Sequence, residues 1–144
     1  IKKNGQIMAD ETGWPGMDLG LLKLVGKLKY RTSYGQSMMS HTIEVIRIGA
    51  ALAQELGADV ELVKRACLLH DIGKVLTHKV EGKHHHISGQ IARKYKLPDK
   101  LVNAIEAHHL DIEVVLRANF PHMVVHTFSI FQHLPQPVLM LSIV

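Results

Sequence analysis

Along most of the chain apolar residues recur at intervals of three and four, with no sustained alternation, so the pattern predicts an all-α helical bundle. Asp18 is placed to cap a helix carrying Leu21, Leu22, Val25 and Leu28 and ending near Tyr30; residues 1–17, with the turn cluster "GWPG" around Trp14 and Pro15, read as a lead-in. The longest periodic run, residues 36–56, sets His41, Val45, Ile48, Leu52 and Leu56 on one stripe expected to face the core. Gly57 is its predicted stop and Asp59 the cap of the next helix, in which Val63, Ala66 and His70 share a face. The loop opening "VEGKHHHISGQ" (80–90) leads into a helix through Ile91, Ala92 and Tyr95, with His84 at or just before its start. Pro98 marks another helix start, with Leu101, Ile105 and His108 as the inner stripe. After Glu113 charges become few and Pro121, Pro135 and Pro137 interrupt the chain, so only a short helix at about 112–118 is expected.

This patterning turns three histidines inward from three helices, and one of them is joined to a carboxylate in "LLHDIGK" (68–74), at the end of an apolar run. A lone histidine on an apolar face is more often a satisfied core residue. Three of them with an attached Asp are costly unless they share a partner, because a buried charge must be paired or bound to a metal. His85, His86, His122, His126 and His133 are expected at the surface or in loops.

The 144 residues suit one domain with its own core, and 47% hydrophobic against 21% charged residues excludes general disorder. The single Cys67 cannot form an internal bridge, which favours a reducing cytoplasm, and its expected place is the inner side of a helix. The net charge of +4 permits polyanionic partners without demanding them. No apolar run reaches the length of a membrane span and no secretory signal is visible; the start at Ile1 suggests a piece of a longer protein.

Among 11 histidines, the ordered series is His41, His70-Asp71, His84 and His108-His109. Imidazole with carboxylate suits Mn, Fe, Ni or Zn, and wide spacing without thiolates points to a site inside a bundle rather than a structural zinc knuckle. This order resembles the HD-domain metal-dependent phosphohydrolase superfamily, and "LLHDIGK" looks like its His-Asp signature. "LLKLVGKLKYRTSYGQ" (21–36), "SHTIEV" (40–45), "KRACLLHDIGK" (64–74), "VEGKHHHISG" (80–89) and "NAIEAHH" (103–109) together are similar to the HD domain of a bacterial endoribonuclease family, over roughly residues 5–118. On that basis residues 18–119 are expected to be the HD domain and 120–144 an atypical C-terminal tail.

The resemblance implies a phosphodiesterase that cleaves single-stranded RNA internally, using one or two divalent ions (Mn, Fe, Ni, Zn or Mg). It also implies a longer protein with a membrane helix, a coiled coil and a KH domain upstream, this part lying at the cytoplasmic face. Two ions roughly 3.5–4 Å apart could clamp the attacking and leaving oxygens, with Asp71 bridging because an anionic carboxylate offsets cation repulsion. His41 and His70 would complete one shell, and His84, His108 and His109 the other. Asp71 and Lys74 are the catalytic candidates, Lys74 reaching a substrate phosphate, although a solvated lysine at a helix end gives the same pattern. The basic run "KLVGKLKYR" (23–31) offers Lys27, Lys29 and Arg31 for RNA contact, with Tyr30 for stacking; the wet face of an amphipathic helix reads alike. The apolar "PVLMLSIV" (137–144) suggests a homodimer.

One departure stands out. The superfamily pattern closes with an Asp on a later helix, but Asn119 and Phe120 occupy that neighbourhood and no Asp or Glu follows Glu113. Asn119, His122, His126 or Asp111 could stand in, or the tail could be an altered reading of the original C-terminus. Two other functions therefore stay open: an HD phosphohydrolase of nucleotides or cyclic dinucleotides, and an inactive HD module for binding or dimerisation.

Overall fold

A computed structural model of the protein describes residues 1–33, 35–77 and 81–109. Helices carry this part: α1 (Lys2–Thr12), α2 (Leu19–Gly26), α3 (Met38–Glu55), α4 (Val60–Leu69), α5 (His84–Lys94) and α6 (Asp99–Glu106). Short 3-10 turns, Lys27–Tyr30, Ile72–Val75 and Ala107–His109, follow α2, α4 and α6. The one extended pairing among the described residues is antiparallel, between β1 (Thr32–Ser33) and β2 (Gln36–Ser37). The all-α class predicted from periodicity is what the described residues adopt. The helix expected at about 112–118 and the tail lie outside the described residues.

The predicted boundaries have local causes. Asp18 Oδ1 accepts hydrogen bonds from the Gly20 and Leu21 amides, and Asp59 Oδ1 from the Leu62 amide, so each carboxylate satisfies N–H groups that a helix start leaves open. Gly57, with φ +65°, ends α3 in the left-handed region that glycine enters without steric cost.

Two features were not legible in the periodicity. The stretch before Asp18 forms α1, which lies against α2 and buries Met8 and Ala9. A Cβ on Gly5 would fall 2.1 Å from the Leu22 carbonyl oxygen, and one on Gly26 2.1 Å from that of Ile1, so two glycines let these backbones touch. The second is the face of α3. The expected inner stripe of His41, Val45, Ile48, Leu52 and Leu56 is only half-buried; Thr42, Ile46, Gly49 and Ala53, one position on, lie deepest. Small residues decide this: a Cβ on Gly49 would sit 2.6 Å from Cys67 Sγ, so α4 seats directly on the backbone of α3.

The core runs between these helices through Leu21, Val25, Leu28, Met38, Leu68, Leu69, Ile72, Leu101 and Ile105, each at most 1% exposed. Cys67 is buried as expected, and burial pushes its thiol pKa well up, which makes it a packing residue rather than a nucleophile.

Candidate metal centre

α4 delivers the first ligand candidates. The apolar face through Val63 and Ala66 carries on to His70, the C-cap, which is 1% exposed. At Asp71 (φ −105°, ψ 9°) the backbone enters the sparsely populated bridge region and turns into Ile72–Val75, leaving the carboxylate buried. α3 brings His41, whose ring lies 5.8 Å from that of His70. α5 starts at His84, and the turn after α6 brings His108, whose ring is 5.3 Å from that of His70 and 5.7 Å from that of His84. Four segments far apart in sequence thus converge on one carboxylate.

Two sets of three donors result: His41 with His70 and Asp71, and Asp71 with His84 and His108, the ligand atoms of each set lying within 4.8 Å of one another. Asp71 Oδ2 is 3.2 Å from His70 Nε2, and Oδ1 is 3.3 Å from His84 Nε2, so the two carboxylate oxygens serve the two sets. Lys74 Nζ donates to Asp71 Oδ2 at 2.8 Å from a partly exposed position.

The donor chemistry fits a divalent cation. His70 Nδ1 is 2.7 Å from the Cys67 carbonyl oxygen and His108 Nδ1 2.5 Å from that of Ile105. A carbonyl only accepts, so both Nδ1 atoms carry hydrogen and each ring turns its Nε2 into the cluster, the arrangement of ligating histidines. A lone pair on His70 Nε2 facing Asp71 Oδ2 at 3.2 Å is repulsive unless a cation, either a proton or a metal ion, is shared between them. Burial, reinforced by His70, drops the His41 pKa to about 4, so its ring is neutral and able to ligate at physiological pH. Burial alone would raise Asp71; His70, His84 and Lys74 outweigh it and hold the carboxyl well below its ordinary range. The site is thus an anion ringed by imidazoles, with one ammonium at its rim.

The sequence candidates are placed unevenly. His41, His70, Asp71, Lys74, His84 and His108 come together; His109 belongs to the turn after α6, and its side chain lies outside the described residues, as do Asp111, Asn119, His122 and His126. Lys27 and Lys29 are exposed on the turn after α2, with Tyr30 between helix and hairpin 67% exposed. Arg31 is half-buried, and its Nη2 donates to the Val75 carbonyl oxygen at 3.3 Å, fastening the basic segment to the turn that carries Asp71. His85, expected at the surface, is instead 3% exposed, its ring 6.0 Å from that of His108. Three consecutive histidines opening a helix point in different directions, and periodicity from the apolar Ile87 and Ile91 would have placed His84 rather than His85 inside. Ser88, missed entirely, is fully buried between the His70 and His84 backbones.

The sequence model of the HD domain matches residues 38–121, which encloses every member of the cluster. The chain belongs to the HD domain family. HD domains bind divalent metals, and this His/Asp cluster could hold one. Among curated proteins, Ribonuclease Y of Acetivibrio thermocellus is 52% identical over 113 residues, covering 78% of this chain and 22% of that protein. Ribonuclease Y of Clostridium kluyveri is 50% identical and that of Finegoldia magna 47%, with the same coverage. The chain therefore spans about a fifth of the length of these relatives, which are the bacterial ribonucleases that its sequence blocks resemble. No solved structure matches. No helix among the described residues is long and apolar enough to cross a membrane.

Proposed function

We propose that this HD domain is the hydrolytic part of an endoribonuclease acting on single-stranded RNA in bacterial mRNA turnover. The observation that supports the reading most directly is the pair of donor sets sharing the buried Asp71, in a chain about half identical to several proteins named Ribonuclease Y.

In this reading His41, His70 and Asp71 would hold one divalent ion, and Asp71, His84 and His108, with His109, a second. A metal bound there would supply an activated water and neutralise charge on a phosphate. The protein's own groups do the rest. The Nδ1–H bonds to Cys67 and Ile105 fix the His70 and His108 rings before substrate arrives, so no reorientation is needed during reaction. Lys74 keeps its ammonium on Asp71 while its exposed side can meet a phosphate oxygen and oppose growing negative charge. Lys27, Lys29 and Tyr30 offer cations and an open aromatic face where Arg31 ties them to the Asp71 turn, a combination suited to an unpaired strand. The domain is taken to extend to about residue 119, with 120–144 as a separate tail.

The test is incubation of the whole chain with a 5′-labelled single-stranded RNA and Mn or Mg, beside Asp71→Ala. Metal-dependent internal cleavage by the wild type and none by the variant is the expected result; equal cleavage by both refutes the mechanism. Cleavage of mononucleotides or cyclic dinucleotides in preference to RNA would move the substrate to the smaller class. A specific observation favours one other reading, an HD module that binds without turnover: no Asp or Glu follows Glu113, and Asn119 and Phe120 occupy the neighbourhood where the superfamily pattern has its closing Asp. Metal uptake with no hydrolysis of any substrate would establish that reading.

A further inference from the structure

We propose that Ser88 is a positioning residue that sets the distance between the two donor sets, by clasping the backbone of His70 to the backbone of His84. The inference rests on the metal-binding reading above.

The hydroxyl of Ser88 sits where three segments meet. Its Oγ accepts a hydrogen bond from the Gly73 amide at 2.8 Å, and its one proton faces the carbonyl oxygens of His70 and His84, each at 2.9 Å. A hydroxyl has one donor and two acceptor sites, so this single side chain joins the end of α4, the turn carrying Asp71 and the first residue of α5. Ser88 is fully buried, and its partners are the main chain of two ligand candidates and of the turn between them. Water has no route to replace those bonds if the hydroxyl is removed.

Gly73 makes the contact possible. A Cβ there would lie 2.1 Å from the His84 carbonyl oxygen and 3.0 Å from the Ser88 amide nitrogen, so any other residue would push α5 away from the turn. Glycine thus permits the approach and serine fixes its register. The geometry at stake is small: Asp71 Oδ1 to His84 Nε2 is 3.3 Å, and the donors of that set fit within 4.8 Å. An outward shift of α5 by a fraction of an ångström moves His84 directly, because its own carbonyl is one of the clasped groups, whereas His41 on α3 is untouched.

The experiment is calorimetric titration of the metal-free whole chain with Mn, with far-ultraviolet circular dichroism and thermal melting run on the same samples. Ser88→Ala is expected to lower Mn affinity ~10–100-fold, the usual effect of removing a group that orients metal ligands, while helical content is unchanged. Ser88→Thr, which keeps the hydroxyl, should restore affinity to within about threefold of wild type. Met8→Ala, in α1 and remote from the cluster, serves as a control for destabilisation: it should lower the melting temperature and leave affinity alone. Wild-type affinity in Ser88→Ala overturns the proposal, and so does an equal loss in Met8→Ala, since the effect would then follow stability alone. If the wild type takes up no Mn, the metal reading itself fails, and the clasp with it.

Discussion

The pH dependence of the metal-free domain offers a quantitative check on the electrostatics of the cluster. His41 titrates near 4 when folded and near 6.5 when unfolded, because burial and the neighbouring His70 disfavour its imidazolium. Below pH 6.5 the unfolded chain therefore binds a proton that the folded chain refuses, and stability falls as the pH drops. The loss begins at 6.5, is complete near 4, and does not grow further below that. The gap of two and a half pH units, at ~1.4 kcal/mol for each tenfold change in proton affinity, sets an upper bound of about 3.5 kcal/mol; the ring's partial exposure brings the expected value to ~2 kcal/mol. Domains of this size are stable by only ~5–15 kcal/mol, so the effect is large enough to measure. Asp71 does not confuse the window: its carboxyl, held low, contributes stability that is present above about 3.8 and is lost only in stronger acid. Urea unfolding in a chelator at half-unit steps from pH 4.5 to 7.5 should show a slope in the wild type that is reduced in His41→Gln. Parallel profiles for the two proteins would refute the account of His41 as a half-buried neutral ring.

Two further outcomes follow from other parts of the structure. Gly49→Ala should cost ~1–3 kcal/mol by overpacking against Cys67 Sγ, and in a Cys67→Ala background most of that cost should vanish; additive free energies in the denaturant cycle would show that the α3–α4 seating is looser than described. Lys74→Met should lower kcat on RNA ~100-fold while Mn affinity stays within about threefold, since the ammonium touches Asp71 without being a metal donor; an unchanged kcat would leave Lys74 as an ion-pair partner only.

Sequence alone determined the helical class, the caps at Asp18 and Asp59, the stop at Gly57 and the identity of most of the cluster. It could do so because those features are local: a capping carboxylate acts on amides two or three residues away, and the period of a helix narrows which of its residues can share a face. The register of the cluster was not local. Which oxygen of Asp71 serves which histidines, the burial of His85, and the fastening of the basic segment through Arg31 to Val75 depend on where four helices meet. That meeting is set by small residues whose effect on packing has no signature in periodicity: Gly49 under Cys67, Gly5 and Gly26 between α1 and α2, and Gly73 against His84. Ser88 shows the difference most plainly, since nothing in "HHISGQ" distinguishes a serine on a wet helical face from one buried against two ligand backbones. Only the tertiary contact of α5 with the turn after Asp71 gives its hydroxyl three partners, because backbone groups 4, 15 and 18 residues away must first be brought together.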